Sequence, residues 1–391
     1  MSRPRPATLA RRWSVLSGTV ACVAAAGLLG ASFADGAWTA RVVQEVPAAY
    51  TIPGAAPQIP WPQGGQAVLA VDGIGTIGVA GDVGAPQPIA SVAKVLTAYQ
   101  VLLDHPLAAG DQGPTLTVLP DEAAQYWAQV RDDESVVPVE AGEQLTERQA
   151  LEALMLPSAD NVAQILARWD AGTVPAFLDR ENRTAARLGM AHSHYTDPSG
   201  LDAGTVSTAP DQLLLEKAAL AQPVLAGIAG EQQAVVPVAG TVLNTNRLLG
   251  RDSVVGVKTG STTAAGGCLM FAADVPVAGG PAQRVLGVVL GQGGPAWQIL
   301  PNALAASDRL IVAARSALTT ATVAAAGRRV ATVRQRWQAD RPVTTAGQVS
   351  VVGWPGLGFT LAVRGGVAAP VLDVVGAGDP ADRSVSALHA G

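Results

Sequence analysis

Pro88-Ile89-Ala90-Ser91-Val92-Ala93-Lys94-Val95-Leu96-Thr97-Ala98-Tyr99-Gln100-Val101-Leu102-Leu103 is the stretch on which the reading of the fold turns. From Ser91 onward only Ser91, Lys94, Thr97 and Gln100 break its apolar character. A helix that is apolar nearly all round is a buried helix, so the sequence predicts one here. Lys94 is then the anomaly. A lysine in such a helix must be paired, reach water, or have a depressed pKa. Ser91, three residues earlier, shares its face, and a desolvated neutral amine is the base that can take a serine's proton. The bland reading is a packed stem with its ammonium snorkelling outward. Ser-x-x-Lys alone is a weak signal, since the pattern also arises by chance.

The chain has only three lysines, Lys94, Lys217 and Lys258, and relies on arginine for the rest of its positive charge. A lysine retained against that background marks a place where a deprotonatable amine differs most from a fixed guanidinium. Lys258 opens Lys258-Thr259-Gly260-Ser261, which follows the strand-like run Val254-Val255-Gly256-Val257. A strand edge ending this way offers a cation and a hydroxyl to a carboxylate. Gly260 lets neighbouring backbone approach, and the edge can pair with an extended peptide. The bland reading is a strand entering a turn with Lys258 solvated. Between the two lysine motifs lies Pro157-Ser158-Ala159-Asp160-Asn161 at a helix entry, where Ser158 and Asp160 are also ordinary N-cap types.

Further outward, Gln66 to Asp72 and Thr76 to Ala80 flank Gly73 and Gly75 as a hairpin. Thr146 to Leu156 reads as an amphipathic helix with Thr146 and Gln149 in capping-box spacing, and Asn161 to Trp169 as a second helix. Val254 to Gly260, Gly266 to Ala272 and Arg284 to Gly291 read as an antiparallel meander. An early hairpin, a helical middle and late strands predict an α+β fold, an antiparallel sheet flanked by helices with a helical subdomain. From about Ser316, short β-like pieces (321–323, 330–333, 348–352, 358–363 and 371–375) predict a small C-terminal all-β domain.

The three motifs, in this order, resemble those of the serine-type D-alanyl-D-alanine carboxypeptidases, low-molecular-mass penicillin-binding proteins with the pattern Ser-x-x-Lys, Ser-x-Asn, Lys-Thr-Gly. The resemblance spans roughly residues 65 to 312 and includes Ala141-Gly142-Glu143, Asp197-Pro198-Ser199-Gly200-Leu201, Ser207-Thr208-Ala209 and Thr245-Asn246-Arg247-Leu248-Leu249. It implies a β-lactamase/transpeptidase-like fold and release of terminal D-alanine from peptidoglycan stem pentapeptides, sensitive to penicillin, with no metal or organic cofactor. By position it implies Ser91 as acylated nucleophile, Lys94 as its base and Ser158 as proton relay. Lys258 and Thr259 would bind the terminal carboxylate beside Gly260, with backbone N–H groups of Ser91 and Ser261 as the oxyanion hole. The middle motif departs from the pattern, because its third residue is Asp160, which cannot donate as an amide does. Either Asp160 stands in the site or Asn161 shifts into it.

Other readings compete. A class A β-lactamase needs a carboxylate for deacylating water, and Glu181 is the nearest candidate by order. A Ser-His-Asp hydrolase lacks a Gly-x-Ser-x-Gly elbow, and His105, His192, His194 and His389 lack a partner pattern. His192 and His194 without a third ligand read as loop residues, not a metal site. A non-enzymatic module that recognises or scaffolds peptidoglycan has Asp160 and the C-terminal region as its support.

Composition bounds the rest. At 391 residues, 49% of them apolar, the chain suits one large domain, one small one and some non-globular sequence. A net charge of −5 without basic runs beyond the N-terminus argues against nucleic acid. Residues 1–12 hold four arginines, and 13–34 are uncharged, the pattern of either a cleaved signal peptide or a retained membrane anchor. Either implies export to the cell-wall side of the plasma membrane. Residues 35–62, rich in proline, read as a linker, 63–315 as the catalytic domain and 316–391 as the accessory domain. Cys22 and Cys268 predict no disulfide, Cys268 being a small core residue.

Overall fold

In a computed structural model, which describes residues 40–335, 338–364, 370–376 and 386–388, the segment around Lys94 forms a 3-10 turn, Ala90–Ala93, running straight into helix α1 (Lys94–Asp104). Its residues Lys94 to Ala98 are buried one after another, so every face is covered. The cover comes from α3 (Glu147–Met155), α4 (Asp160–Ala171), α5 (Val174–Arg187), α6 (Ala209–Leu220) and the short α7 (Pro223–Ala229). Helix α2 (Pro120–Arg131) lies outside this group with no buried residue. The capping box of α3 forms as its spacing predicts: Thr146 accepts from the Gln149 N–H at 3.2 Å, and Gln149 accepts from the Thr146 N–H at 3.0 Å.

The sheet has five antiparallel strands in the order Val254–Thr262, Gly266–Val275, Gln283–Gln292, Gln66–Val71, Gly75–Ala80. The early hairpin and the late meander thus meet in one sheet, and Val254–Thr262, which carries Lys258, is an edge strand. Alternation sends Val68, Met270 and Val288 to the core shared with α1, and Leu69, Phe271 and Val289 to a second core on the opposite face. Cys268 lies in the first core, unpaired, its thiol pushed up to about 12 by burial.

The second face is covered by α8 (Ala296–Ala317), a 22-residue helix the sequence reading did not anticipate. Gly293-Gly294-Pro295 before it and Pro301 within it read as loop punctuation. Pro301 lies inside the helix, where its missing N–H forgoes one intrahelical hydrogen bond. Beyond α8 every regular element among the described residues is a β-strand. Thr319–Ala324 pairs with Val349–Gly353, and Arg329–Arg334 and Arg341–Thr344 form a second unit; Gly358–Arg364, Val371–Gly376 and Ser386–Leu388 form a third.

The linker expected over 35–62 is corrected in part. Arg41–Gln44 pairs with Arg329–Arg334, and Ala49–Thr51 pairs with Gly358–Arg364. Pro47 and Pro53 punctuate these short strands, which lie at sheet edges where the missing N–H is tolerated. The segments expected over 1–12 and 13–34, with Cys22 and His389, lie outside the described residues. Among the described residues no helix is long and apolar enough to cross a membrane.

Candidate active site

Three elements converge on Ser91: the 3-10 turn that carries it, the entry to α4, and the edge strand Val254–Thr262. The turn begins at Ala90 with φ of 49°, and Ser158 has φ of 69°. Both are left-handed conformations that non-glycine residues rarely adopt, and such strained residues cluster at functional sites. Glycine makes the convergence possible at two points. A Cβ on Gly260 would stand 2.9 Å from the Ser91 nitrogen and 3.0 Å from the Val92 nitrogen, so the strand abuts the turn. A Cβ on Gly200, at φ of 79°, would stand 1.9 Å from the Ala90 carbonyl oxygen, so the Asp197–Leu201 loop is pressed against the turn from another side.

Lys94 is fully buried. Its Nζ lies 2.8 Å from Ser91 Oγ, 2.6 Å from Asp160 Oδ1 and 2.9 Å from the Ser199 carbonyl oxygen. Burial pushes the amine below its ordinary pKa, outweighing the opposite pull of the Asp160 carboxylate. Asp160 is held in turn, its Oδ2 accepting from the Ser135 N–H at 3.1 Å. Asn161 faces elsewhere: its amide donates to the Val137 carbonyl at 2.8 Å and accepts from the Val137 N–H at 3.3 Å. Adjacent residues on a helix do not share a face, so only one of the two can meet Lys94, and it is Asp160.

Ser158 is buried, and its hydroxyl has no hydrogen-bond partner among the described residues. Lys258 is 1% exposed, and its Nζ donates to the Thr259 carbonyl at 3.0 Å. Burial first, then the neighbouring Lys94, push its amine well down, with Asp160 opposing. Thr259 Oγ1 lies 2.6 Å from Thr245 Oγ1. Ser261 is exposed near the end of the same strand, opposite Gly267. The arrangement holds a hydroxyl against a desolvated amine, beside a sheet-edge strand and a second buried lysine.

Several contributors had no role assigned from sequence. The Ser199 carbonyl and Thr245 lie within stretches that carry the family resemblance, but a backbone carbonyl leaves no residue-type signature. The Ser135 N–H follows the acidic run Asp132-Asp133-Glu134, which carries no motif. Burial, followed by the nearby Asp160, raises the pKa of Glu134.

Groups named in the competing readings lie away from Ser91. Glu181 on α5 is fully buried, with Oε1 2.7 Å from Thr97 Oγ1. His105 follows the far end of α1, about 20 Å from Ser91 along the helix, stacked on Trp169 with ring centroids 4.1 Å apart. The His192 N–H donates to Asp211, and the His194 backbone bridges to Val206.

Comparison with known proteins agrees with this geometry. A family model described as D-alanyl-D-alanine carboxypeptidase matches residues 57–293. The D-alanyl-D-alanine carboxypeptidase DacB2 of Mycobacterium tuberculosis is 33% identical over 221 residues, covering 54% of this chain and 70% of that protein. A D-alanyl-D-alanine endopeptidase of Escherichia coli is 28% identical over 192 residues, covering 47% of this chain and 59% of that protein. The crystal structure of the Streptomyces K15 DD-transpeptidase superposes with a TM-score of 0.53 at 25% identity, covering 68% of this chain and 98% of that one. The family match takes in the 3-10 turn, the α4 entry and the edge strand together, and the chain belongs to the D-alanyl-D-alanine carboxypeptidase family of serine DD-peptidases.

Proposed function

We propose that this DD-peptidase acts as a carboxypeptidase, releasing the terminal D-alanine of peptidoglycan stem pentapeptides through an acyl-enzyme on Ser91, and that β-lactams acylate the same hydroxyl. The observation that carries the reading is the enclosure of Lys94 by Ser91 Oγ, the Asp160 carboxylate and the Ser199 carbonyl. The last two can only accept. A neutral amine has two hydrogens and one lone pair. With both hydrogens engaged by Asp160 and Ser199, the lone pair faces the Ser91 hydroxyl.

In the acylation step the Ser91 proton passes to Lys94 as Oγ bonds to the carbonyl carbon of the penultimate D-alanine. The oxyanion is received by the backbone N–H groups of Ser91 and Ser261, the kind of interaction that commonly contributes most. Ser158, whose hydroxyl has no partner among the described residues, carries the proton from Lys94 to the leaving nitrogen as the C–N bond breaks. Water then attacks the ester, Lys94 again takes the proton, and Ser91 regains it. Lys258 and Thr259 hold the terminal carboxylate, while the free edge of Val254–Thr262 pairs with the stem peptide backbone. Gly260 keeps that edge against the turn. Asp160 is the site residue at the third position of the middle motif, and Asn161 braces the 135–137 segment beside it.

Members of this family act on peptidoglycan outside the cytoplasm. The uncharged stretch 13–34 supports export, as a signal or as an anchor on the plasma membrane.

Mass spectrometry of products from a pentapeptide stem and from a cross-linked dimer tests the proposal. Loss of one D-alanine with the cross-link intact is expected. Cleavage of the cross-link with the pentapeptide untouched would make the chain an endopeptidase. Lys258→Ala is expected to weaken binding of carboxylate-bearing substrates by about 1.5–3 kcal/mol, the range for a hydrogen bond to a charged group. Unchanged affinity would move carboxylate recognition elsewhere.

A further inference from the structure

The hydrogen bonding behind Lys94 extends one layer further, to a carboxyl group that the reaction described above does not use. Thr97 lies one turn after Lys94 on α1, fully buried. Its Oγ1 is 2.6 Å from the Pro198 carbonyl oxygen and 2.7 Å from Glu181 Oε1. Pro198 adjoins Ser199, whose carbonyl is one of the two acceptors that orient the Lys94 amine. We infer that Glu181 is a positioning residue of this reaction: its carboxyl locks Thr97, Thr97 locks the Pro198–Ser199 peptide, and the Ser199 carbonyl so placed aims the Lys94 lone pair at Ser91. The inference rests on Lys94 being the base.

Hydrogen counting supports it. Thr97 has one hydroxyl hydrogen and two oxygen neighbours. The Pro198 carbonyl can only accept, so it takes that hydrogen. The contact between Thr97 and Glu181 then needs a hydrogen from Glu181, whose carboxyl is therefore protonated. Full burial without a cation against it among the described residues agrees, and burial raises its pKa well above the ordinary carboxylate range. Glu181 thus serves as a donor, which an amide can replace.

The loop has no slack with which to absorb a loss. The Asp197 carboxylate accepts from the Ser199 N–H at 3.1 Å, the Leu201 N–H at 3.0 Å and the hydroxyls of Ser199 and Thr205, both at 2.5 Å. Gly200 is pressed against Ala90 on the other side. Thr97 holds the carbonyl end of the Pro198–Ser199 peptide, whose N–H end Asp197 holds.

The test separates the covalent step of β-lactam acylation from the affinity that precedes it, by stopped-flow with a fluorescent penicillin. Thr97→Val and Glu181→Leu are expected to slow the covalent step on the order of tenfold to a hundredfold, the cost of a small misplacement, with pre-covalent affinity unchanged. Thr97→Ser and Glu181→Gln are expected to retain nearly the full rate. The inference is overturned by wild-type covalent rates in Thr97→Val and Glu181→Leu, by a Glu181→Gln as slow as Glu181→Leu, or by losses that fall equally on affinity. Should Glu181→Leu not fold, the Thr97 pair decides alone. Lys94→Arg distinguishes the two levels: if it still acylates, the base assignment fails, whereas an inert Lys94→Arg beside a fully active Thr97→Val sinks only the role of Glu181 and Thr97.

Discussion

At the scale of single residues, the site depends on which group shares a proton with Lys94. Asp160 raises the lysine's pKa while burial lowers it. The base must be unprotonated to act, so acylation rises with pH through that ionisation. Replacing Asp160 by Asn removes the raising influence and keeps an acceptor, so the ascending limb of the rate–pH profile is expected to move to lower pH. A shift upward, or none, would mean that Asp160 does not set the charge of Lys94. Gly260→Ala is expected to abolish acylation, because its Cβ meets backbone nitrogens on both sides of the nucleophile and neither can yield. A wild-type rate of β-lactam labelling in that variant would show that the strand does not abut the turn. The lysine anomaly was legible because burial and charge conflict visibly in one helix. The choice between Asp160 and Asn161 was not, since it depends on the angle at which α4 meets α1, and no residue type encodes that angle.

At the scale of elements, α3 carries a carboxylate in a costly place. Glu147 opens the helix with its side chain fully buried and neither oxygen partnered among the described residues, and burial, with Asp170 nearby, pushes its pKa up to about 7. A carboxyl raised in the folded state binds its proton more tightly there than in the unfolded chain. Its stabilising protonated form therefore holds below about pH 4.5 and is lost as pH rises through about 7. Glu147→Gln is expected to raise stability by about 1–2 kcal/mol at pH 8 and to change little at pH 4. The helix dipole, which favours an anion at this end, offsets part of the gain. Denaturant melts at the two pH values check this, and an equal effect at both would refute it. Helices α1 and α3 were readable because their patterns are uninterrupted and, for α3, capped. Helix α8 was not, because Gly293, Gly294, Pro295 and Pro301 carry the local signal of a loop, and only packing against the sheet overrides it.

At the scale of the whole molecule, the N-terminal strands tie the start of the described chain to its end. Ile52 donates its N–H to Leu357 and accepts from Gly356, and its side chain lies in the second core with Trp354 and Phe359. Ile52→Ala is expected to cost about 2–5 kcal/mol of stability and to leave the acylation rate unchanged at temperatures where the variant is folded. A loss of rate in folded protein would mean that the second core feeds into the site. The fold class was legible from the order of hairpin, helices and meander, whereas strand partners hundreds of residues apart, such as Ala49–Thr51 with Gly358–Arg364, leave no local pattern. On the proposed mechanism, the assembly keeps one amine dry beside one hydroxyl. Measuring the rate of covalent β-lactam attachment against pH, with the adduct mapped by peptide mass spectrometry, tests that most directly. The adduct is expected on Ser91, with the rate rising through an ionisation below the value of a free lysine. An adduct elsewhere, or a limb at about pH 10.4, where an ordinary lysine titrates, would contradict it.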